Sequence, residues 1–114
     1  MKLRNILTDV VAKNAVGTSD DLESRQVEPG TILEVRHVAV ENRTTAYTRL
    51  VIGVADGISF FGKEEQDSPA ANNIYWTRSK FLVPAGKKLR ARFTGCTPGD
   101  KIYMTYEGFF WEVE

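Results

Sequence analysis

The sequence predicts an all-β domain, an antiparallel β-sandwich or jelly roll with an N-terminal arm. Three observations carry that expectation. From Thr31 onward, apolar and polar residues alternate with period two. Gly, Pro, Asn and Asp interrupt the alternation at short intervals. No later stretch has the three-and-four spacing of a helix, and no unit repeats at fixed period, so seven or so short strands are expected.

The N-terminal segment is the exception. Leu3, Ile6, Leu7, Val10 and Val11 fall at spacings of three and four and would line one face of a short helix, although Ile, Val and Thr also favour strands. The following "GTSDDLESRQVEPG", residues 17–30, is polar, with only Leu22 and Val27 to bury. Residues 1–30 therefore read as an arm and linker, and residues 31–114 as the sandwich domain.

Within the domain, "TILEVRHVAVEN" buries Leu33 and Val35, then Val38 and Val40, and the change of side near Arg36 and His37 calls for a bulge. "AYTRLVIGVAD" places Leu50, Ile52 and Val54 on one face, and Asp56-Gly57 supplies a tight turn into "ISFFG". "KEEQDSPAANN", residues 63–73, reads as the longest loop. "IYWTRSKFLV" follows, then a turn at Pro84–Gly86. In "KLRARF" the residues Arg90 and Arg92 point away from Leu89, Ala91 and Phe93, and in "KIYMTYEGFFWEV" the residue Tyr103 points away from Ile102, Met104 and Tyr106. If these two runs pair through "TGCTPGD", Arg90 and Arg92 share a face with Tyr103, Thr105 and Glu107. That face is either the solvated side of an outer sheet or a docking face, since interfaces favour Arg and Tyr.

Composition narrows function. At 12.8 kDa and 42% hydrophobic residues, the chain suits one core and one domain. Fifteen basic and fifteen acidic residues cancel without long blocks of one sign, which argues against nucleic acid as a direct partner. No run reaches the roughly 20 apolar residues of a membrane-spanning helix, and Asp9 and Lys13 interrupt the N-terminal run, so synthesis in the cytoplasm without a signal peptide is expected.

Reactive groups are sparse. His37 is the one histidine and Cys96 the one cysteine, placed in different predicted elements, so neither a dyad nor a zinc site is expected. The acid pairs Asp20–Asp21 and Glu64–Glu65 lie in polar segments without calcium-loop spacing, and no phosphate-binding loop or nucleophile elbow occurs. No catalytic residue, cofactor or metal is expected, and the protein reads as non-enzymatic. Aromatic residues remain: Phe109, Phe110 and Trp111 are adjacent, so either Phe110 or its two neighbours must leave the core.

The order "EVRHVAVENRTTAYTRLVIGVADG" followed by "IYWTRSKFLVPAGKKLRARFTGCTPGDKIYMTYEGFFWEV" resembles the small all-β accessory proteins of tailed-phage particles, above all capsid decoration or cement proteins. The resemblance rests on a strand ending in "VEN", the "VPAG" turn before a basic strand and the "PGD" turn before the last strand. It spans residues 31–114. It implies a virion protein that forms a homo-oligomer, a trimer or dimer, and binds the major capsid protein or another virion subunit, with a terminal arm for docking. The partner-binding residues expected on this reading are Leu3, Ile6, Leu7, Val10 and Val11 in the arm, with Arg90, Arg92, Tyr103 and Phe110 on the sheet. The alternative from another class is a lectin-like module that stacks sugars on exposed rings such as Trp76 or Trp111.

Overall fold

In the computed structural model, which describes residues 1–113, nine strands form two antiparallel sheets packed face to face, and no helix is present among the described residues. The strands are β1 (Lys2–Asn14), β2 (Ser19–Glu23), β3 (Thr31–Asn42), β4 (Arg49–Asp56), β5 (Ser59–Asp67), β6 (Tyr75–Trp76), β7 (Phe81–Val83), β8 (Lys88–Thr94) and β9 (Lys101–Glu112). The first sheet runs β1-β9-β3-β6, with β7 also on β3, and the second runs β2-β8-β4-β5. Because β9 occupies one side of β3 along its length, β6 and β7 are two pieces of one edge strand on the other side. Counted as one, they leave eight strands in two four-stranded sheets, and nearly every connection crosses between sheets. That is jelly-roll connectivity.

The alternation read in the sequence is what closes the core. Leu33, Val35, Val38, Val40, Ile102, Met104, Tyr106 and Phe110 face inward from the first sheet. Leu22, Leu50, Ile52, Val54, Leu89, Ala91 and Phe93 meet them from the second. The bulge expected near Arg36 and His37 is present as a register shift between Val35 and His37. It lets both Leu33–Val35 and Val38–Val40 reach the core despite the odd spacing. Beside it Gly108 is obligatory, since a Cβ there would lie 2.1 Å from the Glu34 carbonyl oxygen. The turn at Asp56-Gly57 connects β4 to β5 with Asp56 opposite Ser59, and Gly57 takes the positive φ of 60° that this two-residue link needs.

Four expectations are corrected. First, residues 1–30 are not a separate arm. β1 is a 13-residue strand paired with β9 from Lys2↔Glu112 to Asn14↔Lys101, and β2 pairs with β8. Leu22 and Val27 are both about 1% exposed, so the two apolar residues of the supposed linker are core residues. Second, Leu3–Val11 is not helical: spacings of three and four also arise when adjacent residues of a strand face opposite ways, and here Leu7 and Val11 turn inward while Ile6 and Val10 turn out. Third, β5 extends through Asp67 and absorbs half of the expected loop. Fourth, "TGCTPGD" does not form a hairpin but carries the chain from one sheet to the other, so β8 and β9 never pair.

A buried polar clasp holds that crossing. Asp100 Oδ2 accepts hydrogen bonds from Asn42 Nδ2 (2.9 Å), Thr45 Oγ1 (2.6 Å) and the Thr97 amide (2.8 Å). Burial alone would raise the Asp100 pKa, but these three donors favour the carboxylate more and hold it below its ordinary value.

Candidate interaction surfaces

The two outer faces of the sandwich differ in character. On the second sheet, β2 lays Asp21 opposite Arg92 and Glu23 opposite Arg90. Arg92 Nε and Nη2 bond the Asp21 carboxylate at 2.9 and 3.1 Å, and Arg90 bonds Glu23. Both guanidinium groups also lie over the Phe60 ring, at 5.4 Å for Arg90 and 4.9 Å for Arg92. Arg90 and Arg92 are therefore held within their own sheet, on the opposite side of the molecule from Tyr103. The hydrogen bond that Arg92 donates to the Asp21 carboxylate raises the Arg92 pKa, so the pair stays charged.

The outer face of the first sheet is apolar at its margins. Cross-strand partners share a face, so Leu3, Ile6 and Val10 of β1 stand with Trp111, Phe109 and Thr105 of β9, Tyr103 follows on the same face, and Leu82 and Trp76 stand beyond β3. Leu3, Ile6, Val10, Ile74, Trp76 and Leu82 are all exposed. The central rings are partly dressed. Arg36 lies over Phe109 at 5.1 Å, Arg43 over Tyr103 at 4.0 Å, and Trp111 Nε1 donates to Glu34 at 3.0 Å. A shallow apolar hollow lies between Val10, Ala39, Ile74 and Tyr103.

Of the residues expected to bind a partner, Leu3, Ile6, Val10 and Tyr103 come together on this one face. Leu7 and Val11 are half-buried against the core. Phe110 is a core residue, capped by Arg25 at 5.5 Å from its ring centre, and its neighbours Phe109 and Trp111 are the rings that leave. The alternation of β9 decides this: Ile102, Met104, Tyr106 and Phe110 have the same parity, so once the first three face inward the fourth must follow. Trp76 and Leu82, missed as part of this face, became legible only with the pairing of β6 and β7 to β3.

The free edge of β1 is blunted. Asp9 points toward the interior, takes the Tyr106 hydroxyl at 3.2 Å, and its other oxygen accepts the Val10 amide at 2.8 Å, while the register shifts at Leu3/Asn5. An inward charge and a bulge on an edge strand both oppose pairing with another strand. Burial, with Asp9 beside it, pushes the Tyr106 hydroxyl up to about 12.

Groups capable of chemistry are dispersed. His37 sits exposed at the bulge of β3. Cys96 is buried in the β8–β9 crossing with its Sγ 3.2 Å from the Gly17 carbonyl, and burial raises its pKa, which disfavours the thiolate. Among the described residues no group of three His, Cys, Asp or Glu could hold a metal ion, and no helix is long and apolar enough to cross a membrane. In comparisons with known proteins, no family model, no curated protein and no solved structure matches the chain.

Proposed function

We propose that the protein is a non-enzymatic structural subunit, of the virion accessory type its strand and turn order resembles, and that it works by docking the outer face of its first sheet. The observation that carries this reading is the concentration of exposed apolar side chains on one face, Leu3, Ile6, Val10, Leu82 and Trp76, while the opposite outer face is satisfied by its own ion pairs. Exposed apolar side chains gathered along both margins of one sheet face mark an interaction surface. Zero net charge leaves copies free to approach one another. The blunted β1 edge directs association to the face rather than to strand addition.

The test has two arms. Sedimentation of the wild-type protein over a concentration series should show a dimer or trimer, and Ile6→Asp with Val10→Asp should shift it to monomer without lowering its melt. The tagged chain, mixed with particles from the host that carries the gene, should pellet with them, and the same variant should stay in the supernatant. A wild-type chain that is monomeric and never pellets would overturn the proposal.

A further inference from the structure

A second feature lies on the side of the sandwich away from β1, where β5 and β6 form neighbouring edges of the two sheets. Cross-strand pairing puts Gln66 opposite Leu50 and Glu64 opposite Ile52, so both polar side chains lie on the face of β4 that builds the core. Apolar residues belong at such positions. Two polar residues there break the alternation, as the inward Asp9 does on the opposite edge, and breaks of this kind concentrate at functional sites. Instead of a sealed edge there is a groove of about 240 Å³, floored by Leu50 and Ile52 and bordered by Trp76, Glu64, Gln66 and Arg78.

The lining selects a ligand class. Glu64 and Arg78 carry opposite charges, while Glu65 is neutralised by Arg49 at 2.8 Å, so the groove favours neither an anion nor a cation. Its floor and the Trp76 ring are apolar, and Trp76 is 60% exposed. One Glu64 oxygen lies 3.3 Å from the Arg78 amide, and the Gln66 amide nitrogen donates to the Asp67 carbonyl. That leaves the second Glu64 oxygen, the Gln66 carbonyl oxygen and, among the described residues, the Arg78 guanidinium without a protein partner. A ligand that matches must offer an apolar face to a ring and hydroxyl groups to acceptors and donors at its rim. A pyranose does both, with C–H groups on its faces and hydroxyls around its edge. The volume lies below the roughly 300–1,000 Å³ of sites for drug-sized ligands, which suits one sugar ring.

We propose that this groove binds a neutral saccharide, one ring resting on Trp76 and hydrogen-bonded by Glu64, Gln66 and Arg78. The test uses the full chain and a panel of neutral gluco-, galacto-, manno- and N-acetylglucosamine oligosaccharides, followed by the two indole N–H resonances. Trp111, whose indole N–H is held by Glu34, is the internal control. Saturable movement of the Trp76 signal alone is expected with at least one member, and Trp76→Ala should abolish binding without changing the melt. Glu64→Gln and Gln66→Ala should each weaken it about tenfold. No saturable shift up to roughly 10 mM of any member, or binding unchanged by all three substitutions, would overturn the proposal. Sedimentation reads self-association separately, so failure here leaves the sheet-face reading intact.

Discussion

Removing residues 1–28 should unfold the protein, because that segment supplies parts of both sheets. Leu22 and Val27, each about 1% exposed, contribute about 1.5–3 kcal/mol apiece by burial. Ala15 is buried, and Leu7 and Val11 pack half-buried against the same core. Together these give roughly 5–8 kcal/mol, an upper estimate because the unfolded chain already hides some apolar surface. Deletion also strips β9 of one neighbour along its whole length. A domain of this size has about 5–15 kcal/mol of net stability, so the loss is comparable with all of it. Circular dichroism and thermal melting of the truncated chain should show no cooperative transition. Leu22→Ala alone should cost about 2–5 kcal/mol and leave a lowered but cooperative melt. If residues 29–114 melt cooperatively within a few degrees of the full chain, the reasoning fails and β1 and β2 are ornaments on a self-sufficient core.

Asp100→Ala leaves the Asn42, Thr45 and Thr97 donors without their acceptor; buried Asn42 costs about 1–3 kcal/mol, and the half-buried Thr45 and exposed Thr97, which water can reach, add less, so the expected loss is about 2–5 kcal/mol by denaturant titration. Asp100→Asn should cost less, since a neutral oxygen can occupy the Oδ2 position and only the charge is lost. Because the Asp100 pKa is lowered in the folded state, its contribution is present in full above its ordinary value of 3.8 and disappears as pH falls through the lower folded value. Wild type and Asp100→Asn should accordingly converge in acid, and a gap that persists unchanged there would contradict the assignment. Tyr47→Phe should be neutral or should raise the melt by a few degrees, because the Tyr47 hydroxyl is buried without a hydrogen-bond partner among the described residues; a loss above about 1 kcal/mol would show that the hydroxyl is satisfied after all.

Much of the fold was legible because sandwich strands write their faces into a period of two. β3, β4, β8 and β9, the bulge at Val35/His37 and the turn at Asp56-Gly57 all follow from residue order. What stayed hidden was pairing. "KLRARF" and "KIYMTYEGFFWEV" are neighbours in sequence, and local spacing makes a hairpin reasonable, yet a jelly roll sends consecutive strands to opposite sheets. The position of Arg90 and Arg92 depended on that pairing, and with it their role: acids on β2, some seventy residues earlier in the chain, neutralise them. β1 was obscured for another reason. An edge strand with one face exposed tolerates apolar residues outside as well as inside, so its alternation blurs into helical spacing.

The apolar face and the groove meet at Trp76, which lies on the outer side of the first sheet by its pairing with Ala39 and also borders the groove beside Glu64. The four strands of that sheet place β1 about 14 Å from β6 at the usual spacing near 4.8 Å, so Ile6 and Val10 are too far away to touch a ligand in the groove. Substitutions can therefore separate the two activities. Ile6→Asp should disturb docking and spare sugar binding, and Glu64→Gln should do the reverse. Trp76→Ala should weaken both, because its exposed ring, together with the exposed Ile74 side chain, belongs to both sites. If Trp76→Ala left docking untouched while Ile6→Asp abolished it, the docking surface would be confined to the β1 side of the face, and the bare ring of Trp76 would belong to the groove alone.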